Sequence, residues 1–134
     1  MGRNESNVAI ECFRSACVEH PLVVAAFLGG SYAAGCSRED SDIDLYLITE
    51  PVHYAEFLED RRRFMGLWGA PTRVEDVWNF EGLGFDMMVF ELDTGVHGEV
   101  ALGTTENMMK MHGGPHDVLV DKSGVLAGVS FPLL

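Results

Sequence analysis

A chain of 134 residues has room for one domain, and with 47% hydrophobic and 22% charged residues it can bury a core without disulfide or metal staples. Its longest purely apolar run, Leu22 to Leu28, is far short of the roughly 20 residues a membrane span requires. Nine Lys and Arg against twenty-one Asp and Glu leave a net charge of −12, which disfavours nucleic acid as the main ligand, because a phosphate-backbone binder needs clustered cations. The basic run Arg61-Arg62-Arg63 lies within a helical pattern and reads as a solvated helix face. An acidic surface of this kind suits a cationic small molecule better than an anionic polymer. Met1-Gly2-Arg3-Asn4-Glu5 lacks the features of a secretory signal, so a cytoplasmic location is expected. Three cysteines, Cys12, Cys17 and Cys36, without CxxC spacing, read as reduced thiols.

In chain order, Ala9, Cys12, Phe13 and Ala16 stand at helical spacing and predict a helix over Val8 to Glu19, with Ser6 or Asn7 as N-cap and Pro21 closing the segment. Leu22 to Leu28, ended by Gly29-Gly30, is a buried strand by length. Ser31 to Gly35 reads as a short helix. Asp42 to Ile48 alternates, with Ile43, Leu45 and Leu47 on one face and Asp42 and Asp44 on the other, and is a strand whose start is polar on one side. His53 to Met65 is an amphipathic helix stopped by Gly66 and Gly69-Ala70-Pro71. Strands follow at about Arg73 to Phe80, Phe85 to Leu92 and Val96 to Leu102, the last two joined by a hairpin around Asp93-Thr94-Gly95. Thr104 caps a short helix from Thr105 to about Met111, stopped by Gly113-Gly114-Pro115. Asp117 to Asp121 is a last edge strand, turned by Lys122-Ser123-Gly124. The expected class is α+β, a mixed sheet with helices packed on one face.

One constellation carries chemistry: Gly29-Gly30-Ser31, ten intervening residues, then Asp42-Ile43-Asp44. Two glycines after a buried strand let the backbone turn tightly and approach a ligand, and a helix N-terminus just beyond them points N–H groups at phosphate. Ser31 adds a hydroxyl. Asp42 and Asp44, two apart on a strand, project from one face, where their carboxylates repel each other unless a divalent cation lies between them. Two-metal sites of this kind clamp the attacking and leaving oxygens of a phosphoryl transfer, so the arrangement reads as nucleotidyl transfer.

Gly29-Gly30-Ser31-Tyr32-Ala33-Ala34-Gly35 together with Ser41-Asp42-Ile43-Asp44-Leu45 resembles the signature of the DNA polymerase β-type nucleotidyltransferase superfamily. The resemblance implies an αβ nucleotidyltransferase fold, an NTP donor, ATP being the expected one, and two Mg²⁺ ions. It places Gly30 and Ser31, with Gly29 in the same turn, on the triphosphate, and Asp42 and Asp44 on the metals. Val96-His97-Gly98-Glu99-Val100 and the stretch from Thr105 to Leu126 are similar to the lincosamide nucleotidyltransferases, relatives of the aminoglycoside nucleotidyltransferases. The implied reaction moves a nucleoside monophosphate to a hydroxyl of such an antibiotic.

The superfamily uses a third carboxylate on a neighbouring strand, and Glu99 and Asp86 compete for it. Glu99 shares a polar strand face with His97, repeating the division at Asp42 and Asp44, and it matches the Gly-Glu position of the lincosamide enzymes. Glu99 is therefore expected as the third catalytic and metal-binding acid, with Asp86, at the end of a strand apolar on both faces, in reserve. His112 and His116 are separated by Gly113-Gly114-Pro115, which forbids the helix that would pair them on zinc. His97 reads as a polar strand-face residue, Met108, Met109 and Met111 as core filler, and Arg38 as an exposed loop residue within reach of a phosphate.

Antibiotic nucleotidyltransferases carry a helical domain after the catalytic one, and residues 1–134 are expected to be the catalytic domain without it. A homodimer or a helical partner would then complete the acceptor pocket. Two other readings remain: a minimal nucleotidyltransferase antitoxin that modifies a helical partner protein, whose Gly-Ser, ten-residue, Asp-x-Asp pattern this chain also fits, and a nucleotide-binding module without turnover.

Overall fold

The computed structural model describes residues 2–30, 42–79, 82, 84–108 and 116–128. Helix α1 spans Gly2–Glu19, strand β1 Val23–Gly29 and β2 Ile43–Thr49. A 3-10 turn at Pro51–His53 leads into helix α2, Tyr54–Met65, and strands β3 Pro71–Val77, β4 Asp86–Leu92, β5 His97–Thr104 and β6 Asp117–Asp121 follow. The six strands form one sheet in the order β3-β4-β5-β2-β1-β6. The β2–β5 pairing is parallel and the other four pairings are antiparallel, so the sheet is mixed, as expected. Each strand lies within about two or three residues of the span that alternation predicts.

Both described helices pack on one face of this sheet. Ala9, Phe13, Ala16 and Cys17 of α1 and Phe57, Phe64 and Met65 of α2 meet Ala26, Leu28, Ile43, Leu45, Leu47, Val100 and Leu102 in a single cluster. Parity then sends the alternate residues, Phe27, Tyr46, Ile48 and Ala101, to the opposite face, where Phe85, Met87, Met108 and Leu126 cover part of them. At the start of β2 that second face carries polar residues, Asp44 and Glu99 among them. Met108 is buried there, as the core reading expects.

Two sequence expectations are corrected. Helix α1 begins at Gly2 rather than Val8, because the buried stripe Ser6, Ala9, Ile10, Phe13 runs one turn further back; Ser6 is a small hydroxyl on that stripe, not a cap. Of the three arginines of α2, Arg62 and Arg63 keep the solvated face expected of them, and Arg61 alone is drawn in. Arg61 grips Asp76 through Nε and Nη2 at 3.0 Å each, Arg62 donates to the same carboxylate at 2.7 Å, and Arg63 pairs with Asp60 at 2.6 Å. Residues 105–107 form a turn, and Thr104 caps it as predicted, its Oγ1 accepting from the N–H groups of Glu106 and Asn107. The predicted helix at Ser31 to Gly35, together with Cys36, Arg38, Met109, Met111, His112 and Gly113-Gly114-Pro115, lies outside the described residues. Cys12 and Cys17 are free thiols. Among the described residues no helix is long and apolar enough to cross a membrane.

Candidate active site

The end of β1 and the start of β2 meet on the second face of the sheet. Gly29 stands in register opposite Asp44, and Asp44 in turn stands beside Glu99 across the parallel β2–β5 pair. Because side chains alternate along each strand, Asp44 and Glu99 leave the sheet on the same face as neighbours. Asp42 sits one residue before β2, exposed, with its Oδ1 turned to Nδ1 of His97 at the start of β5. The close approach of β5 to β2 rests on Gly98: a Cβ there would overlap the carbonyl oxygen of Ile43. Of the residues predicted for the site, Asp42, Asp44, Glu99, Gly29 and Gly30 are brought together, and Ser31 lies outside the described residues.

Asp86, the reserve candidate, is elsewhere. Its register partner on β5 is Leu102, which faces the helices, so Asp86 points away from Asp44. Its Oδ2 lies 2.6 Å from the Tyr54 hydroxyl, which also lies 2.7 Å from the carbonyl oxygen of Leu102. Its Oδ1 accepts the backbone N–H of Asn79 at 2.7 Å. Asn79 has a φ of 50°, and this bond holds the turn that follows β3.

The turn leaving β1 is shaped by contact with the carboxylates. Gly30 has a φ of 62°, in the region that favours glycine, and a Cβ there would overlap Oδ2 of Asp44. The glycine thus lets the backbone lie directly against the carboxylate. Burial pushes the carboxyl of Asp44 above its ordinary range, and the charge of Asp42 pushes it further. Glu99 is raised by burial first, then by Asp44 and Asp42. Among the described residues no cation pairs with Asp44 or Glu99.

Three crowded carboxylates are hard oxygen donors and fit Mg²⁺ in chemistry. As the side chains stand, with Asp42 turned to His97, no three acidic, His or Cys residues among those described close on a single ion position. A metal held by these acids would offset the repulsion that raises Asp44 and Glu99. Two further side chains stand beside these carboxylates. His97, the polar strand-face residue expected beside Glu99, turns its Nδ1 to Asp42. Tyr46 falls on the carboxylate face by the same two-residue period that marks Asp42 and Asp44, and its hydroxyl is pushed up to about 12 by burial, then by Asp44 and Glu99.

Against known protein families, residues 10–92 match a family model described as a nucleotidyltransferase domain. The match contains the glycine turn, Asp42 and Asp44, and it ends seven residues before Glu99. No curated protein matches the chain.

Proposed function

This chain belongs to the nucleotidyltransferase domain family, and we propose that it moves a nucleoside monophosphate, AMP from ATP, to a hydroxyl of a small-molecule acceptor such as a lincosamide or aminoglycoside. The observation that carries the proposal is the register pairing of Asp44 with Glu99 on the face where the Gly29-Gly30 turn leaves β1. Asp42, Asp44 and Glu99 would hold Mg²⁺. When bound, the metal supplies charge neutralisation at the triphosphate and at the leaving pyrophosphate. The backbone of the glycine turn approaches the phosphates, since no side chain stands between it and Asp44. In this reading Glu99 takes the proton from the acceptor hydroxyl as its oxygen bonds to the α-phosphorus and pyrophosphate leaves. The acceptor class rests on the likeness of Val96 to Val100 and of Thr105 to Leu126 to the lincosamide enzymes, and on a net charge of −12 that favours a cationic acceptor.

Incubation with ATP labelled at the α-phosphate, Mg²⁺ and a panel of lincosamides, aminoglycosides and candidate helical protein partners tests this. Label on an antibiotic hydroxyl, abolished by EDTA, is the expected result. Label on a protein would move the acceptor to another class, and no pyrophosphate release with any acceptor would overturn the activity.

A further inference from the structure

We propose that Tyr46 is a positioning residue of this site, its ring setting the height of the Gly29-Gly30 turn over the carboxylate of Asp44. The inference rests on the nucleotidyl-transfer reading for its functional consequence and on packing for its geometry. Along β2 the ring shares the face of Asp44, and in the ladder it stands opposite Phe27 of β1 and beside Ala101 of β5. Phe27 is fully buried, and the two rings lie parallel, 4.5 Å apart with 2° between their planes. The tilt of the Tyr46 ring is therefore set by a buried side chain stacked against it.

From that seat the ring leans towards the site. A Cβ on Gly29 would lie 2.7 Å from Cε1 of Tyr46 and 3.5 Å from its Cζ, so the ring edge occupies the volume a side chain at position 29 would need. Gly29 is the register partner of Asp44, and Gly30 next to it turns with positive φ against the Asp44 carboxylate. Phe27, Tyr46, Gly29, Gly30 and Asp44 thus form one unbroken line of contact, in which the aromatic ring is the spacer. A smaller residue at 46 removes the spacer and lets the turn shift against the Asp44 carboxylate. A larger residue at 29 pushes the turn the other way. The ring carries this role, because the atoms nearest to where a Cβ on Gly29 would stand are its carbons.

The test compares Tyr46→Ala, Tyr46→Phe, Gly29→Ala and the double variant Gly29→Ala/Tyr46→Ala in the full chain. Three readouts are taken: kcat and KM for ATP·Mg²⁺, Mn²⁺ binding followed by electron paramagnetic resonance, and thermal unfolding. A displaced turn of about 1 Å is expected to lower kcat/KM for Tyr46→Ala by about 10- to 100-fold, mostly in kcat. Tyr46→Phe, which keeps the ring, restores the activity. Gly29→Ala is damaging alone and less damaging in the Tyr46→Ala background, where its methyl has room, and Mn²⁺ affinity follows the same order. If Tyr46→Ala does not fold, Tyr46→Leu takes its place. Wild-type kcat/KM in folded Tyr46→Ala, a Tyr46→Phe loss equal to that of Tyr46→Ala, or an unchanged Gly29→Ala penalty in the two backgrounds would each overturn the inference. Failure of the wild-type chain to bind ATP·Mg²⁺ or to transfer label would instead overturn the nucleotidyl-transfer reading, and the coupling in Mn²⁺ binding and unfolding would still decide whether ring and turn act on one another.

Discussion

Asp44 and Glu99 are direct register partners across β2 and β5, the one parallel pairing of the described sheet. Residues 55 positions apart in the chain therefore present their carboxylates side by side, and each is raised by burial and by the charge of acidic neighbours. Such a pair is costly to hold ionised without a cation, which ties the stability of this corner to its chemistry.

Replacing either acid by its amide separates the two. Asp44→Asn and Glu99→Gln should each lower transfer by at least about 100-fold, as should Asp42→Asn, because the lost charge is one the reaction needs. In metal-free buffer the Asp44 and Glu99 variants should melt at the wild-type temperature or above it, since a repelling buried charge has gone. Mg²⁺ should stabilise wild type by about 2.7 kcal/mol at a hundredfold excess over Kd and should do so much less in the variants. Calorimetry and melting with and without EDTA read both effects.

Asp86→Asn should show the opposite profile. Its carboxylate holds Tyr54 and the N–H of Asn79 on the far side of the sheet, so its loss is expected to cost about 1–3 kcal/mol of stability while transfer changes by a few-fold at most. Urea unfolding beside kcat/KM measures the two. Transfer lost in Asp86→Asn and kept in Glu99→Gln would exchange their roles.

Gly30→Ala introduces a side chain at a positive φ and into the space of Asp44 Oδ2. The backbone strain alone should cost about 1–2 kcal/mol, and the displaced carboxylate should weaken binding of ATP·Mg²⁺ more than it weakens the fold. Isothermal titration of ATP with Mg²⁺ against a urea melt distinguishes these contributions.

The acid limb of stability should report Asp60, which joins α2 to the end of α1. Arg63, then His20 at 2.9 Å, hold its carboxyl down at about 2 from an ordinary 3.8. Because the folded value is the depressed one, the unfolded chain takes up its proton first as pH falls. The stabilisation is thus complete above about pH 4 and is lost as pH drops towards the folded value of about 2. Asp60→Asn should flatten the dependence of unfolding free energy on pH within that window and leave transfer at neutral pH unaltered.

Much of the site follows from local pattern. The Asp42 and Asp44 pair, the Gly-Gly turn after a buried strand, and β6 at Asp117–Asp121 are visible in the chain because alternation and turn chemistry act over two to four residues. The same local rule offered both Asp86 and Glu99 as strand acids and could rank them only by the face each shared with its strand neighbours. Their separation to opposite faces came from register, Asp86 against Leu102 and Glu99 against Asp44, which depends on strands distant in sequence. Cross-strand contact likewise decided that Tyr46 covers Gly29 and that His97 faces Asp42, and helix-to-strand packing drew Arg61 from the solvated face onto Asp76. The sequence alone determined which residues could do the chemistry, because periodicity is a property of neighbours. The tertiary structure decided which of them meet, because meeting requires long-range pairing that no short window of the chain contains.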